Sequence, residues 1–342
     1  MEKRVNDFAP RDGILRVRLV GHASSQRCKS DAFIITFNDM VWLVDGGMRG
    51  NTDSYERLLE LRQAWLGDSR RNAVESEDYK LHITWLVSHF HLDHVQTTIA
   101  HTLKSPYIVL DEAIIPPDTL LPADYPMNDD AYFRPMLKEV AEKYQKGAKI
   151  STVPVGRDGL SRFTSGGLTL DILPPECDWG TPENIGIMTE LYSDGVRDDK
   201  RASITVMNSN CLWFVLRMAG RSILLTGDTM KRFPDRSDEP YDRMFRYYSD
   251  IIGSHIDIAK WTHHGIARDE AAELVHSLTP EYIIITTVER ETASVKYAAA
   301  YPDDPARLVR VGAADELLRI DPDGCITHVT GCDVFADFGG KG

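Results

Sequence analysis

Cysteine is scarce. There are five in 342 residues (Cys28, Cys177, Cys211, Cys325 and Cys332), an odd number with no CxxC pair. That argues against a disulfide framework and reads as reduced thiols in a cytoplasmic protein. Positive charge is also in short supply. Lys and Arg number 39 against 52 Asp and Glu, a formal charge of −13, so strong sequence-independent DNA binding through a basic footprint is not expected. No apolar run approaches the roughly 20 residues that span a bilayer, and the N-terminal "MEKRVNDFAPRDG" has no apolar core of a signal peptide. Low-complexity segments and linker-like changes of composition are missing, as are a GxSxG elbow, a GxGxxG fingerprint and a P-loop.

What the chain has is a series of short β-branched runs. "ILRVRLVG" (14–21), "DAFIITFN" (31–38), "VWLVDGG" (41–47), "LHITWLV" (81–87) and "YIVL" (107–110) are expected strands, with helices over 53–66, 95–103 and 130–147. A second series follows: "KISTVPV" (149–155), "LTLDILPP" (168–175), "SITVMN" (203–208), "CLWFVLRM" (211–218), "RSILLTGD" (221–228), "IDIAKWTHHG" (256–265) and "YIIITTV" (282–288). Residues 268–278 and 303–313 are expected helices, and "ELLRIDPDGCITHV" (316–329) a hairpin. One α/β domain accommodates all of this, over residues 12–335, with insertions near 111–147, 177–202 and 231–250.

The two series echo each other. In the first, one strand ends in Asp45-Gly46-Gly47 and a later one in "SHFHLDH", Ser88 to His94. In the second, one ends in Gly227-Asp228 and a later one in His263-His264-Gly265. Ligand sites of α/β proteins lie at such carboxyl ends, and pseudo-twofold packing brings the two sets together. Imidazole and carboxylate suit Zn²⁺, and also Mn²⁺ or Fe. His89 and His91, two apart on an extended chain, face one way. Asp93 and His94 then turn at a helix start, placed for a second ion. Phe90 and Leu92 face the other way.

"SHFHLDH" resembles the HxHxDH motif of the metallo-β-lactamase fold superfamily. "VWLVDGG", "SILLTGDT" and "AKWTHHG" resemble that family's early acidic, later acidic and final histidine motifs, and together they cover about residues 14 to 332. More narrowly, "NSNCLWFVLRMAGRSILLTGDT" with "IDIAKWTHHG" is similar to the hydrolase domain of the competence-type DNA-uptake channel proteins and their soluble relatives, with Lys260 at that pattern's lysine. The resemblance implies a four-layer αββα sandwich with pseudo-twofold halves. It implies Asp228 as a carboxylate bridging two ions, zinc for preference. Of the adjacent pair, His264 is the expected ligand and His263 its catalytic neighbour. Asp45 is expected to orient a ligand histidine by a hydrogen bond.

One family feature is missing. Most two-zinc members carry a further histidine before the bridging Asp, which the competence-type subgroup commonly lacks, and here only His101 lies between His94 and Asp228. His101 is expected to pack on a helix away from the metals. Asn208, Asn210 and Cys211 come nearest the vacant position, with Cys211 expected as a small core residue. The implied sets are then His89, His91, Asp228 and water for one ion, and Asp93, His94, His264 and Asp228 for the other. His22, after the first strand, is expected to be structural.

The chemistry this implies is hydrolysis by a metal-activated hydroxide that Asp93 orients. The subgroup points to a phosphodiester, either nucleic acid or a small nucleotide-like molecule. A lactone, thioester or other carboxyl derivative is the alternative substrate class, and a non-catalytic binding member with a degraded site is a third reading. Residues 231–250 interleave Lys231, Arg232, Arg236, Arg243 and Arg246 with Phe233, Tyr241, Phe245, Tyr247 and Tyr248. Such a mixture suits phosphate and base contacts, or simply an amphipathic helix with a solvated face. The oligomeric state is not legible.

Overall fold

The computed structural model describes residues 6–331 apart from 22–29, 51–52, 68–75, 126, 193–198, 234–235, 266–270, 288–292 and 312–313. His22, Cys28 and Cys332 lie outside the described residues. In chain order the strands are β1 (Leu15–Leu19), β2 (Ala32–Phe37), β3 (Met40–Asp45), β4 (Leu81–Leu86), β5 (Ile108–Ile115), β6 (Lys149–Thr152), β7 (Ser161–Ser165), β8 (Leu168–Leu173), β9 (Trp213–Met218), β10 (Arg221–Leu225), β11 (Ile258–Lys260), β12 (Tyr282–Ile285), β13 (Arg307–Arg310), β14 (Glu316–Ile320) and β15 (Ile326–Thr330). The helices are α1 (Ser54–Leu66), α2 (Leu92–Ala100), α3 (Asp129–Tyr144), α4 (Pro182–Tyr192), α5 (Asp199–Ser209), α6 (Pro240–Tyr247), α7 (Ser249–Ile252), α8 (Ala272–Ser277) and α9 (Ala293–Ala300).

The strands form two sheets, ordered β15-β14-β1-β2-β3-β4-β5-β6 and β13-β12-β11-β10-β9-β8-β7. Alternation along each strand decides what each face meets. Leu15, Val17 and Leu19 of β1 join Phe214, Leu216, Ile223 and Ile284 in the core between the sheets. Arg16 and Arg18 point the other way, to Asp12 and to Asp315 and Glu60. Ile34, Leu43 and Trp85 pack on Leu58, Val95, Leu137 and Val206 of the helices over the first sheet. Trp213, Val215 and Ile283 pack on Tyr241, Met244, Val275 and Tyr297 of the helices over the second. Helices, sheet, sheet, helices: this is the four-layer αββα sandwich, each face burying its apolar residues against the next layer.

The pseudo-twofold is visible in the pairing. In the first half β1, β2 and β3 run antiparallel, and β4, β5 and β6 follow β3 in parallel. In the second half β8, β9 and β10 run antiparallel, and β11, β12 and β13 follow β10 in parallel. β3 and β4 therefore correspond to β10 and β11, and all four end at one edge of the sandwich. The Leu212 amide donates to the Ser88 carbonyl at 2.9 Å there, lacing one half to the other.

Two expectations need correcting. "SITVMN" (203–208) is helix, the second half of α5, rather than strand. Ser203, Thr205, Val206, Met207 and Asn208 are all buried and Ile204 is half-buried, so polar and apolar residues alike are inside and no polar face marks the period. The stretch 303–313 contains strand β13 rather than a helix. It pairs with β12 through Arg307 to Arg310, and only Val309 of the four is buried, so as an edge strand it shows little alternation. Among the described residues no helix is long and apolar enough to cross a membrane.

Candidate metal centre

The site lies where β3, β4, β10 and β11 end. Its turns use backbone that few side chains tolerate. Asp45 has φ 58°, His263 45° and His264 61°, followed by Gly265 at 78°. Left-handed non-glycine residues concentrated at one edge carry strain that the surrounding packing must hold. Gly46 could not be replaced, because a Cβ there would stand 1.9 Å from Thr98 Oγ1. His91 precedes α2 and offers no side-chain cap. Instead Asp129, in the first turn of α3, accepts from the Leu92 amide at 3.2 Å and pins that turn from a second helix.

These turns bring His89, His91, Asp93, His94, Asp228 and His264 into one cluster. Nε2 of His94 lies 3.2 Å from Asp228 Oδ2, and Nε2 of His264 lies 3.0 Å from the same oxygen. Asp93 approaches both histidines, 3.9 Å from His94 Nε2 and 3.3 Å from His264 Nε2. His89 Nε2 meets His91 Nδ1 at 2.9 Å, and the His89 and His94 rings are 4.1 Å apart. Asp228 is buried, whereas the Asp93 side chain is 29% exposed and so is the carboxylate on the solvent side.

Each inner histidine is backed by a carboxylate on its other nitrogen. His94 Nδ1 is 2.9 Å from Asp45 Oδ2, and Asp45 in turn accepts from the Ser88 amide at 2.7 Å and the Ser88 hydroxyl at 2.9 Å. His264 Nδ1 is 3.0 Å from Asp31 Oδ1, which also accepts from Thr286 Oγ1. Such bonds fix a ring so that Nε2 points inward. Sequence reading missed Asp31. The signal was the register, since an antiparallel β2–β3 hairpin turning near Asn38-Asp39 sets Ala32 against Asp45.

Among the described residues of the cluster, carboxylates outnumber fixed cations. Burial disfavours charge on His94 and on His264, yet Asp228 with Asp45 in one case, and Asp228 with Asp31 in the other, hold both pKa values well above the ordinary imidazole range. Burial works against the Asp228 carboxylate too, and the two histidines outweigh it and draw its pKa well down. Burial, then the neighbouring His94 and His91, push His89 well down, so it stays the neutral ligand form.

The donor set fits a divalent cation. His94, Asp228 and His264 each offer one ligand atom within 4.8 Å of the others, and Asp31, whose oxygens face His264 and Lys260, lies within the same distance as the carboxylate behind them. His91 Nε2 and Asp228 Oδ1 are buried with no hydrogen-bond partner, which leaves both atoms available as metal ligands. Around the position of the missing histidine, the Asn210 amide is taken up by Trp179, Thr119 and Asp178, and Cys211 Sγ accepts from the Asp228 amide at 3.4 Å. Asn208 is buried with both amide atoms unpartnered.

His263, expected as the neighbour of His264, is half-buried with its ring centroid 6.0 Å from that of His264. His101 follows α2 and stacks on Tyr55 at 6.2 Å. In the basic-aromatic segment Lys231 is buried against Asp242 at 2.8 Å, Arg243 pairs with Glu176 at 2.7 Å, and Tyr241 and Tyr248 are core. These groups hold the segment to its own fold.

No protein-family profile matches the chain, and no curated protein matches it either. Similar solved structures include the metallo-β-lactamase fold protein YhfI from Bacillus subtilis, with 11% identity, 93% of this chain and 100% of that one covered, and TM-score 0.45. Human tRNase Z, short form, shows 11% identity, 79% and 92% coverage and TM-score 0.43. Zn²⁺-bound PqqB from Methylobacterium extorquens shows 9% identity, 90% and 99% coverage and TM-score 0.46. At such identities and scores, the chemistry of this centre has to come from its own side chains.

Proposed function

We propose that the chain is a metal-dependent hydrolase acting on a phosphodiester, of nucleotide-like rather than duplex nucleic-acid type. The observation that carries this is the convergence of His94 Nε2 and His264 Nε2 on Asp228 Oδ2, with Asp93 beside them on the solvent side. His94, His264, Asp93 and Asp228 would hold one ion, and His89, His91 and Asp228 a second, zinc for preference with manganese or iron alternatives. Divalent ions bound there acidify a water and neutralise charge developing on a phosphoryl oxygen.

The rest is work for the chain's own residues. Asp45 and Asp31 keep the two Nδ1 atoms occupied, so each inner histidine presents Nε2. Buried Asp228 offers two oxygens and little access to water. Asp93, the exposed carboxylate, is placed to orient the attacking water and take its proton at an Oδ. The formal charge of −13 disfavours long polyanions and leaves a small diester as the better substrate class. The residues of 231–250 support this preference too, since Lys231 and Arg243 are already paired within the chain.

The test joins metal content to turnover. Purified without chelator, the chain should carry one to two divalent ions and hydrolyse bis(p-nitrophenyl) phosphate with added Zn²⁺ or Mn²⁺. A chelator should remove both activity and part of the thermal stability, by about 3 kcal/mol if the ion stood near a hundred times its Kd. Turnover of a thioester or lactone with none of the diester would overturn the substrate class. Metal-free protein with an unchanged melting curve would overturn the reading as a whole.

A further inference from the structure

We propose that Lys260 is a positioning residue of this centre, a fixed ammonium that aims Asp31, and through it His264, while holding the turn that presents Asp228. The inference rests on the metal reading above. Lys260 is fully buried at the end of β11. A lone buried ammonium is strongly disfavoured, and a strand between two layers would ordinarily carry an apolar residue there. Its Nζ lies 2.8 Å from Asp31 Oδ2 and donates to the carbonyls of Gly227 at 2.7 Å and Trp261 at 3.2 Å. Two of its N–H groups thus meet backbone carbonyls, the ammonium stands at ion-pair distance from a carboxylate, and each of the three oxygens belongs to a part of the site.

Asp31 takes His264 Nδ1 on its other oxygen. Gly227, at φ 55°, immediately precedes Asp228. Trp261 leads into the turn that carries His264. One side chain therefore ties the exits of β10 and β11 together and fixes the carboxylate behind the histidine. Nζ also stands 3.7 Å from Asp228 Oδ1, the atom of that carboxylate without a hydrogen bond. A compact charge suits this three-way contact, whereas the planar fork of arginine would not reach the same oxygens.

The test uses Co²⁺ as a spectroscopic probe of the whole chain. The variants are Lys260→Met, which keeps the stem and removes the charge, Asp31→Asn, and the double variant. Circular dichroism reports whether each folds. The wild-type chain should bind Co²⁺ with visible d–d bands. Folded Lys260→Met should bind it roughly tenfold to a hundredfold more weakly, with shifted bands, as when a partner behind a metal-binding histidine is lost. The double variant should be no worse than the worse single one, because both act through the same link to His264. If Lys260→Met does not fold, Lys260→Gln, which keeps N–H donors, is measured for the same shift. A folded variant whose melting temperature falls while its Co²⁺ bands and affinity stay at wild-type values would show a merely structural lysine and overturn the inference. No Co²⁺, Zn²⁺ or Mn²⁺ binding by the wild-type chain would instead overturn the metal reading beneath it.

Discussion

The two halves of the sandwich lay down the same strands yet hold their histidines differently. Three residues before the first histidine of each motif stands Leu86 in the first half and Lys260 in the second. Behind His94, Asp45 is satisfied by neutral donors, the amide and hydroxyl of Ser88. Behind His264, Asp31 is satisfied by the hydroxyl of Thr286 and the charge of Lys260. The first half also supplies four of the clustered groups within the six residues His89 to His94, whereas Asp228 and His264 of the second are separated by α6 and α7. A compact motif shaped by one strand and one helix can rely on local hydrogen bonds. Two turns far apart in the chain need a tie that reaches between them, and a buried ammonium with three donors is such a tie.

The sharpest way to break this comparison is at its shared point. Asp228 touches the inner histidine of each half, and Asp45 only that of its own. Asp228→Asn should lower diester turnover on the order of a thousandfold, the scale seen when one preorganised electrostatic group is removed from an active site. It should also release bound metal from the inner pair. Wild-type turnover in that variant would mean the halves do not meet at Asp228. A smaller effect is expected of Asp45→Asn, a loss of roughly tenfold to a hundredfold in metal affinity with the Nε2 ligand still in place. Isothermal titration of both variants ranks them, and equal losses would erase the distinction drawn between ligand and support.

The same contrast explains what could be read from the chain alone. The first-half motif is local, so spacing put His89, His91, Asp93 and His94 together without a fold. Asp228 and the His263-His264 pair were placed only through the echo of the two series of strand ends, and the family resemblance was needed to prefer His264 and to give Asp228 its bridging role. Asp31 was read only as the first residue of the expected strand 31–38, and its role arises only when β2 and β3 pair. Strands with one buried face were legible. The helix stretch 203–208 of α5 and the exposed edge strand β13 were not, since burying polar residues along with apolar ones and burying almost none both erase the period. Lys260 was noticed as part of a pattern, but a sequence gives no sign that a lysine is fully buried.

At the opposite edge the halves differ again, and the smallest predicted effect lies there. The first half ties its β2–β3 turn to β4 with a neutral amide, Asn6, whose Oδ1 accepts from the His82 amide at 2.8 Å while Nδ2 donates to the Asp39 and His82 carbonyls. The second half ties the start of β10 to β11 with a carboxylate, Asp257. It accepts from the Ser222 amide at 2.8 Å and from Arg221 Nη1 at 2.7 Å, with His255 Nε2 at 3.3 Å and Glu281 facing the same arginine. Burial opposes its charge, but Arg221 and Ser222 outweigh it and lower its pKa. A carboxylate so depressed adds stability above the pKa it has when unfolded, and that stability is lost as pH falls through the lower folded value. Asp257→Asn should therefore destabilise the chain by about 2 kcal/mol at neutral pH, as expected for a hydrogen bond to a charged group. The gap to the wild type should close as denaturation is repeated at successively lower pH below 4, where the wild-type side chain takes up its proton. Asn6→Ala should show no such convergence, because nothing in that tie titrates. A gap for Asp257→Asn that is the same at neutral and at acid pH would mean that packing, not charge, holds the second half at this edge, and that the two halves are tied alike.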